Sequence, residues 1–334
     1  MLFCMFIEEL AKKFSNIQMD KLITTVPEEL SGHRLDLVLA SLYPQHSRSR
    51  LQAWINAGRV KVNNRTLRQK DPVKTGEQIE IQPLFDPQTE CQAEDIPLDI
   101  VYEDEQILLI NKPAGLIVHP GAGNPAHTLQ NALLFHNPGL AKIPRAGIVQ
   151  RLDKDTSGIM IIANTPEIHT YLVDQLQRRL IRREYQAIVT GLMTAGGKIE
   201  APIGRHPVFR KRMTVTSNGK PAVTHYRIIK KYRHHTHILV RLETGRTHQI
   251  RVHMAHIHYP VTGDPVYGGR NRLPGKISPD LRETIQSFPR QALHASALTV
   301  VHPGTKAELT WETPLPADIQ SLIDAIAKNE DYGS

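Results

Sequence analysis

The spacing of apolar residues predicts a small module of helices and strands near the start of the chain. Apolar side chains recur at helical intervals in two segments that Pro44 separates, with Ser47 as a candidate N-cap and Gly58 as the end of the second. Two shorter apolar segments further on are typical of strands. The predicted elements are helices over 33–42 and 48–57 and strands over 60–64 and 79–81. Together they define a module over residues 31–85.

A longer alternation of strands and helices begins near Leu98. The apolar run from Ile107 to Ile110 is typical of a buried strand, whereas residues 184–189 alternate as a half-buried strand does. The other predicted strands cover 222–230, 236–242 and 309–311, and the predicted helices cover 129–135, 166–180, 250–257 and 316–328. A second, larger domain is therefore predicted over residues 98–325.

The remaining residues predict an extension and a linker. Residues 1–30 begin with an apolar stretch and then become charged, and we expect them to form a flexible extension. They lack the positive start and small-residue cleavage site of a secretory signal. Residues 86–97 are polar and acidic and contain two prolines, which is typical of a linker. A length of 334 residues suits such a two-domain chain.

The charge of the chain is concentrated in the small module. Lys and Arg number 41 against 33 Asp and Glu, which gives a net charge of +8. Between residues 32 and 70 the only acid is Asp36. The bases there are Arg34, Arg48, Arg50, Arg59, Lys61, Arg65, Arg68 and Lys70. This one-sided excess favours a phosphate-binding surface and a nucleic-acid partner, although a solvated basic face is the alternative.

Cysteine and histidine usage argues against disulfide and metal sites. Cys4 and Cys91 are far apart and lack a CxxC partner, which favours a reducing cytoplasm over an oxidising compartment. The histidines around residues 234–237 and 248–258 include no HExxH pair, so no metal is expected. No apolar run reaches the roughly 18 residues of a membrane span. We expect a monomer without membrane association.

The candidate chemistry lies in the loop Gly147–Gly158, between two apolar segments that predict strands. Buried strands on both sides would hold such a loop rigidly, as a reaction site requires. Asp153 is the candidate reactive group, because Leu152 can anchor it and Arg151 can bind a phosphate near it. The alternative interpretation is an ordinary turn, since this composition is typical of turns.

The segment Arg151-Leu152-Asp153-x-x-Thr156-Ser157-Gly158 resembles the signature of the large-subunit type (RluA type) of RNA pseudouridine synthases. In that family the aspartate of the motif is the catalytic nucleophile, which corresponds to Asp153. The usual motif begins with His, whereas Gln150 occupies that position here. The Asp, the Thr and the Gly are retained.

Further segments carry the same resemblance. Lys112-Pro113-x-Gly115 followed by His119-Pro120 is similar to the first motif of the family, and Gly245–Arg251 is similar to a later one. The resemblance implies that Tyr185 lies against the target base and that Arg251 pairs with the nucleophile and holds it as a carboxylate. The candidate RNA-contacting residues of this domain are Lys112, Arg151, Arg246 and His248. The last two lie toward a predicted helix start, where phosphate binding is natural.

The small module also resembles a known fold. Ser47–Leu51 and Gly58–Asn63 are similar to the S4 RNA-binding domain, whose helical pair binds the RNA backbone. The candidate contact residues are Arg48, Arg50, Arg59 and Lys61. The two resemblances imply an α+β chain with a small S4-like domain and a larger synthase domain. Its expected centre is a mixed, mainly antiparallel sheet flanked by helices.

The implied reaction is isomerisation of uridine to pseudouridine after base flipping, without cofactor. Residues 145–149, 221–227 and 254–257 favour the subgroup that acts on the helix 69 stem-loop of 23S rRNA, in the large ribosomal subunit or its precursor. The alternatives are a non-catalytic S4-type RNA-binding protein and a synthase for another rRNA or tRNA site. An N-glycosidase would need a second carboxylate, for which Asp155 is the near candidate.

Overall fold

The computed structural model describes residues 21–43, 48–83, 91–121, 123–268 and 277–329. The chain divides into two units, Met1–Glu90 and Cys91–Ser334. Among the described residues, no helix is long and apolar enough to cross a membrane.

The first unit is a three-stranded antiparallel sheet with two helices. Its elements are strands β1 (Leu22–Thr25), β2 (Val60–Val62) and β3 (Gln78–Ile81) and helices α1 (Leu35–Leu42) and α2 (Arg48–Asn56). The helices bury their apolar stripes, including Leu39 and Trp54, against the inward-facing side chains of β2 and β3. The predicted S4-like fold is confirmed. Pro44 and Ser47, which the sequence analysis placed between the helices, lie outside the described residues.

Part of the predicted flexible extension belongs to this unit. Leu22–Thr25 pairs with β3 along its full length, and Glu28–Leu30 forms a 3-10 turn. Val26 is almost fully buried in the core. Four residues are too few to show a periodic pattern. The strand that pairs with them lies more than fifty residues further along the chain, so local sequence does not reveal the pairing. The rest of the extension, residues 1–20, lies outside the described part.

The second unit contains eleven of the described strands and five of the helices. The strands are β4 (Ile100–Glu103), β5 (Ile107–Lys112), β6 (Ser157–Ala163), β7 (Arg182–Thr190), β8 (Gly197–Glu200), β9 (Ile203–Arg205), β10 (Met213–Val215), β11 (Val223–Lys231), β12 (His235–Leu242), β13 (Leu293–Val301) and β14 (Glu308–Glu312). The helices are α3 (Leu129–His136), α4 (Pro166–Gln177), α5 (Gln249–His256), α6 (Pro279–Ser287) and α7 (Ala317–Lys328).

Within the described residues, nine of these strands form one sheet in the order β4-β5-β6-β13-β7-β12-β11-β8, with β14 also paired to β13. The pair β6–β13 is parallel, and the other pairs of this sheet are antiparallel. The predicted mixed, mainly antiparallel sheet is confirmed. β9 and β10 form a separate hairpin.

The predicted linker is shorter in the structure than in the sequence analysis. Residues 91–97 pack on the start of α3, where the Asn131 amide donates to the Gln92 carbonyl at 2.6 Å and the Glu94 carboxylate accepts from the His127 N–H at 2.9 Å. This segment belongs to the larger unit, whose boundary precedes Cys91. Its polar groups form hydrogen bonds with the larger unit, so the segment is packed on that unit and does not act as a free linker. Residues 86–90 of the predicted linker lie outside the described residues.

Helix α4 ends three residues before the predicted end at Leu180. Arg179 adopts a left-handed conformation with φ 60°, which stops the helix. The basic residues that follow turn into β7, where Arg182 forms an ion pair with Glu308. Arg179 forms an ion pair with Glu243 at 2.7 Å. These side chains are therefore engaged at the sheet surface rather than at a helix C-terminus.

The Gly147–Gly158 loop runs into β6, whose seven residues are all buried. Gly158 has φ +121°, and a Cβ atom there would lie 2.2 Å from the carbonyl oxygen of Ala295. Glycine is therefore required where β6 meets the parallel strand β13. This close approach fixes the end of the loop on the central sheet.

We expect Gly158→Ala to destabilise the larger unit by about 3 kcal/mol or more, because it combines a strained φ with a backbone clash. The midpoint of thermal unfolding would then fall by roughly 6–12 °C. Trp311 fluorescence in a Trp54→Phe background reports on this unit. Gly121→Ala is the control, since its Cβ would meet no heavy atom within 4 Å. Equal midpoints for the two variants would contradict the packing argument.

Candidate active site

Asp153 lies in a loop that is fixed at both ends. Leu152 inserts into the hydrophobic core, and the Thr156 N–H donates to the Asp153 carbonyl oxygen at 3.1 Å. The hydroxyl of buried Thr156 accepts from the Gln291 amide at 3.0 Å. The Asp153 carboxylate itself remains 16% exposed, so a ligand can reach it while the backbone is held.

Arg251, on the first turn of α5, joins Asp153 to a second carboxylate. Its Nη1 donates to Asp153 Oδ2 at 2.9 Å. Its Nε and Nη2 donate to the two oxygens of Asp264 at 2.7 and 2.9 Å. Asp264 is fully buried and also accepts from the N–H groups of Val266 and Tyr267 at 2.8 and 3.0 Å. The guanidinium is held from behind by Asp264 and presents one edge to Asp153.

The electrostatics of this array keep the Arg251 guanidinium charged. Burial disfavours the charged form, but the carboxylates of Asp264 and Asp153 outweigh it and raise the pKa of Arg251 above its ordinary value. Arg251 therefore offers Asp153 a charged hydrogen-bond donor at 2.9 Å. The structure therefore places Arg251 in contact with Asp153, as the sequence analysis expects.

His248 and Tyr267 form a second contact around Asp153. The Tyr267 hydroxyl accepts from the Met213 N–H at 2.9 Å and lies 2.8 Å from His248 Nδ1. Its own proton can be donated to Nδ1, which favours the tautomer with the proton on Nε2. His248 Nε2 lies 3.9 Å from Asp153 Oδ1. Burial lowers the pKa of His248, and the charge of Asp153 opposes that effect. His248 thus presents an N–H group beside the carboxylate.

Tyr185 lies on β7, between β12 and β13. Its side chain is 7% exposed. Burial raises the pKa of the Tyr185 phenol, and the nearby charge of Asp153 acts in the same direction. The charge of Arg183 opposes this rise in the pKa, but burial is the larger effect, so the phenol is neutral at physiological pH.

Lys112 requires a correction, because the structure does not leave it available to RNA. It is fully buried, and Nζ donates to the carbonyl oxygens of Pro113, Leu116 and Lys154 at 2.7, 2.8 and 3.0 Å. Three carbonyl acceptors match the three protons of an ammonium group. Lys112 therefore ties the residue after Asp153 to the 113–116 turn, which is a positioning role.

The other predicted contact residues of this unit are partly or fully exposed. Arg151 is exposed two residues before Asp153. Arg246 donates through Nε to the Pro221 carbonyl at 3.0 Å, which orients its guanidinium. Cations at such positions can bind the phosphates of an RNA strand without reading its sequence.

In the first unit the predicted contact residues differ in their surroundings. Arg48 donates to buried Asp36 at 2.7 Å, together with Arg34 and Gln52. Burial opposes ionisation of Asp36, yet these hydrogen bonds lower its pKa to about 2. Arg48 thus fastens α2 to α1, although half of its side chain is exposed. Arg59 and Lys61 are exposed, and the side chain of Arg50 lies outside the described part of the chain.

Three of the histidines considered as metal ligands, His237, His248 and His253, form hydrogen bonds within the protein. His253, for example, is fully buried between the Thr224 hydroxyl at 2.8 Å and the Ala201 carbonyl at 2.9 Å. Across the described ranges no group of three His, Cys, Asp or Glu side chains is arranged to hold a metal ion.

Fold and site together define a class of protein: an enzyme domain with a carboxylate held by an arginine, preceded by an RNA-binding module. The model of the RNA pseudouridylate synthase family matches residues 106–256, and that of the S4 domain matches residues 33–79. Ribosomal large subunit pseudouridine synthase D of Pseudomonas aeruginosa is 55% identical over 306 residues, covering 92% of this chain and 96% of that protein. The Escherichia coli K12 protein of the same name is 52% identical over 92% of this chain and 94% of its own.

Solved structures agree with this assignment. Human RNA pseudouridylate synthase domain containing 1 aligns with a TM-score of 0.53 and 25% identity, covering 71% of this chain and 91% of that structure. Human RNA pseudouridylate synthase domain containing 4 aligns with a TM-score of 0.54 and 26% identity, covering 68% of this chain and 92% of that structure. The chain belongs to the RluA-type RNA pseudouridine synthase family and carries an N-terminal S4 domain. It is an isomerase, and the non-catalytic alternative is excluded by this membership.

Sequence reasoning missed Asp264 and Tyr267 as parts of the site. Both lie in the segment Gly263–Gly269, for which the sequence analysis assigns no role to any residue. The available signal was an acid in a Gly- and Pro-bearing loop with no apolar period. Only the tertiary structure shows that this loop folds beneath Arg251.

We expect Asp264→Asn to destabilise the larger unit by about 3 kcal/mol, because it removes half of a buried ion pair and leaves the Arg251 charge poorly compensated. Thermal or urea unfolding measures the change. Glu308→Gln, which removes the exposed ion pair with Arg182, is the control and should change stability by less than about 1 kcal/mol. Similar losses in both variants would argue against the buried pair as the source.

Because Lys112 is buried, we expect it to make the free energy of unfolding depend on pH. Burial lowers its pKa to about 7, against the attraction of Asp155 and Asp153. Between that pH and the ordinary lysine pKa of about 10.4 the unfolded chain binds more protons, so stability rises with pH. The stability of wild type relative to Lys112→Met should therefore increase between about pH 7 and 10, by at most about 1.4 kcal/mol per pH unit.

Urea unfolding at several pH values provides the measurement for Lys112. Lys154→Met, at an exposed lysine of the neighbouring loop, is the matched control. A pH-dependent difference in Lys112→Met that is absent in Lys154→Met would identify the buried lysine as its source. A flat difference for Lys112→Met would mean that the buried lysine retains an ordinary pKa.

Proposed function

We propose that this protein converts uridine to pseudouridine in 23S rRNA, at the helix 69 stem-loop of the large ribosomal subunit or its precursor, with Asp153 as the nucleophile. The supporting observation is the Asp153–Arg251–Asp264 array, found in a chain that is 55% identical to a ribosomal large subunit pseudouridine synthase D. An rRNA substrate agrees with the predicted cytoplasmic location. The monomeric state stays a prediction.

The proposed reaction begins with extrusion of the target uridine, which costs a few kcal/mol for unstacking. Asp153 Oδ1 is the oxygen that Arg251 leaves free, so we assign the attack to it. The bond forms either to the ribose C1′ or to C6 of the base. The N-glycosidic bond then breaks, the uracil rotates, and a C5–C1′ bond forms while the aspartate is released.

In the final step C5 loses its proton to solvent and N1, freed from the ribose, takes up a proton from solvent, so atoms and charge balance without water, metal or nucleotide being consumed. Tyr185, a neutral phenol near Asp153, orients the base and assists this proton loss. Arg251 stabilises the carboxylate when it is released. Arg151 fills the space that the extruded base leaves or binds an adjacent phosphate. Arg246 and His248 bind further phosphates of the substrate RNA. Arg59, Lys61 and Arg50 of the S4 domain supply backbone contacts.

The test is tritium release from C5-tritiated uridine in a helix 69 stem-loop and in free or subunit-bound 23S rRNA, with no added cofactor. Wild type should release tritium to water, and Asp153→Asn should lose release by at least about a thousandfold while still binding RNA. Asp155→Asn, a matched charge change in the same loop, should retain most of the release.

The other outcomes separate the rival assignments. Release from another rRNA or from tRNA, but not from helix 69 in any form, would replace the proposed substrate and leave the nucleophile in place. Full activity of Asp153→Asn would overturn the nucleophile. Appearance of free uracil would indicate an N-glycosidase, and loss of that product in Asp155→Asn would identify the water-activating carboxylate.

A further inference from the structure

The β9–β10 hairpin of the larger unit presents an apolar tip that neither the core nor the proposed chemistry explains. We define the hairpin tip as residues 206–212. It contains Val208 and Phe209, whose side chains are 73% and 58% exposed. These are the two highest values among the large apolar side chains of the described residues. Because the two are adjacent, they form one apolar patch at the turn of the hairpin, and such a patch is a candidate contact surface.

The tip is ordered by its own hydrogen bonds. His206 Nδ1 accepts from the N–H groups of Val208 and Phe209 at 3.2 and 3.1 Å. The Arg212 carbonyl accepts from the His206 N–H at 3.0 Å, and the Arg212 N–H donates to the Phe209 carbonyl at 2.8 Å. The turn is therefore formed before any ligand binds, and it holds both apolar side chains outward. Preorganisation of this kind lowers the entropic cost of binding.

The base of the hairpin is anchored beside the active site. Met213 and Val215 pack on a small cluster of Ile203, Ala222 and Val252. The Met213 N–H donates to the Tyr267 hydroxyl, which contacts His248. The hairpin therefore has a fixed relation to the side chains around Asp153. A ligand held at the tip would be held in register with the reacting nucleotide.

The charge around the tip points to a polyanion. Residues 204–221 contain no Asp or Glu. Their basic residues are Arg205, Arg210, Lys211, Arg212 and Lys220. All five are exposed, and within the described residues none of them forms an ion pair. Protein surfaces carry charges of both signs, so a binding site for a protein would be expected to include acidic residues as well as basic ones. An RNA backbone carries only negative charge, which the purely basic hairpin complements.

The geometry of Phe209 suits a nucleobase. The Arg212 guanidinium lies 5.4 Å from its ring centroid, and the His206 ring lies at 5.2 Å and 48°. Both contacts orient the ring while most of it stays open to solvent. Proteins hold unpaired bases by stacking them on such aromatic rings, with cations alongside for the phosphates. A base inside a duplex cannot offer its face in this way.

We propose that Phe209 stacks on an unpaired base of the substrate RNA and that Arg210, Lys211 and Arg212 bind the adjacent phosphates. The hairpin tip then selects looped RNA over duplex RNA and positions the loop for the residues around Asp153. This inference rests on the proposed function only in taking RNA as the substrate. It adds a specificity-determining contact that is remote from the nucleophile.

The test compares Phe209→Ala, Phe209→Trp and Arg210→Gln on two RNAs: a helix 69 stem-loop and a fully paired duplex that contains the same loop sequence. Fluorescence anisotropy of labelled RNA gives binding without requiring turnover. Phe209→Ala should weaken stem-loop binding by roughly tenfold to a hundredfold and leave duplex binding within about twofold. In tritium release, KM should rise while kcat changes little.

The other two variants separate stacking from charge. Phe209→Trp should bind the stem-loop as wild type does, and its fluorescence should be quenched by the stem-loop but not by the duplex. Arg210→Gln should weaken both RNAs and reduce the slope of log affinity against log salt by about one. Since Phe209 and Arg210 are exposed, unfolding midpoints should equal that of wild type.

Two results would overturn the inference. Unchanged stem-loop binding by Phe209→Ala would show that the tip contacts something other than RNA, and equal losses on stem-loop and duplex would show that it does not distinguish loops. Failure of the proposed function gives a different result, because tritium release would be absent in wild type while the binding preference for the stem-loop persisted.

Discussion

The shared guanidinium of Arg251 is the interaction on which the site depends. A buried arginine with a single carboxylate leaves part of its fork unpaired, but Asp264 occupies two donors and Asp153 a third. Because Asp264 is fully buried and also held by backbone N–H groups, it fixes the guanidinium rather than following it. The direction of the Asp153 carboxylate is therefore set by a loop that lies more than a hundred residues further along the chain.

Buried residues also hold the backbone of the loop that carries Asp153. Lys112 binds the carbonyl of Lys154 from inside the protein, and Gly158 allows β6 to approach β13 closely. Both residues belong to motifs that the family resemblance marks, yet neither is available to a substrate. Their role is to restrict the backbone on either side of the nucleophile. A reaction that needs attack at one atom of a flipped nucleotide depends on such restriction.

The basic residues fall into two physical groups. Arg48, Arg179 and Arg182 are paired with carboxylates and stabilise the fold where they lie. The cations of the hairpin tip lack ion pairs within the described residues and remain available to phosphates. Net charge alone does not distinguish these groups, because it counts paired and unpaired cations equally. Fewer basic residues are therefore available to RNA than the net charge of the chain suggests.

Sequence by itself determined the elements with strong periodicity or a motif: α1, α2, the buried strands β5 and β6, the α+β class, and Asp153 with Arg251 as partners through the family resemblance. Only the tertiary structure decided β1, the packing of residues 91–97, the burial of Lys112, and the roles of Asp264 and Tyr267. The reason is common to all of these. Each depends on a partner that is distant along the chain, and local patterns carry no information on which distant groups a folded chain brings into contact.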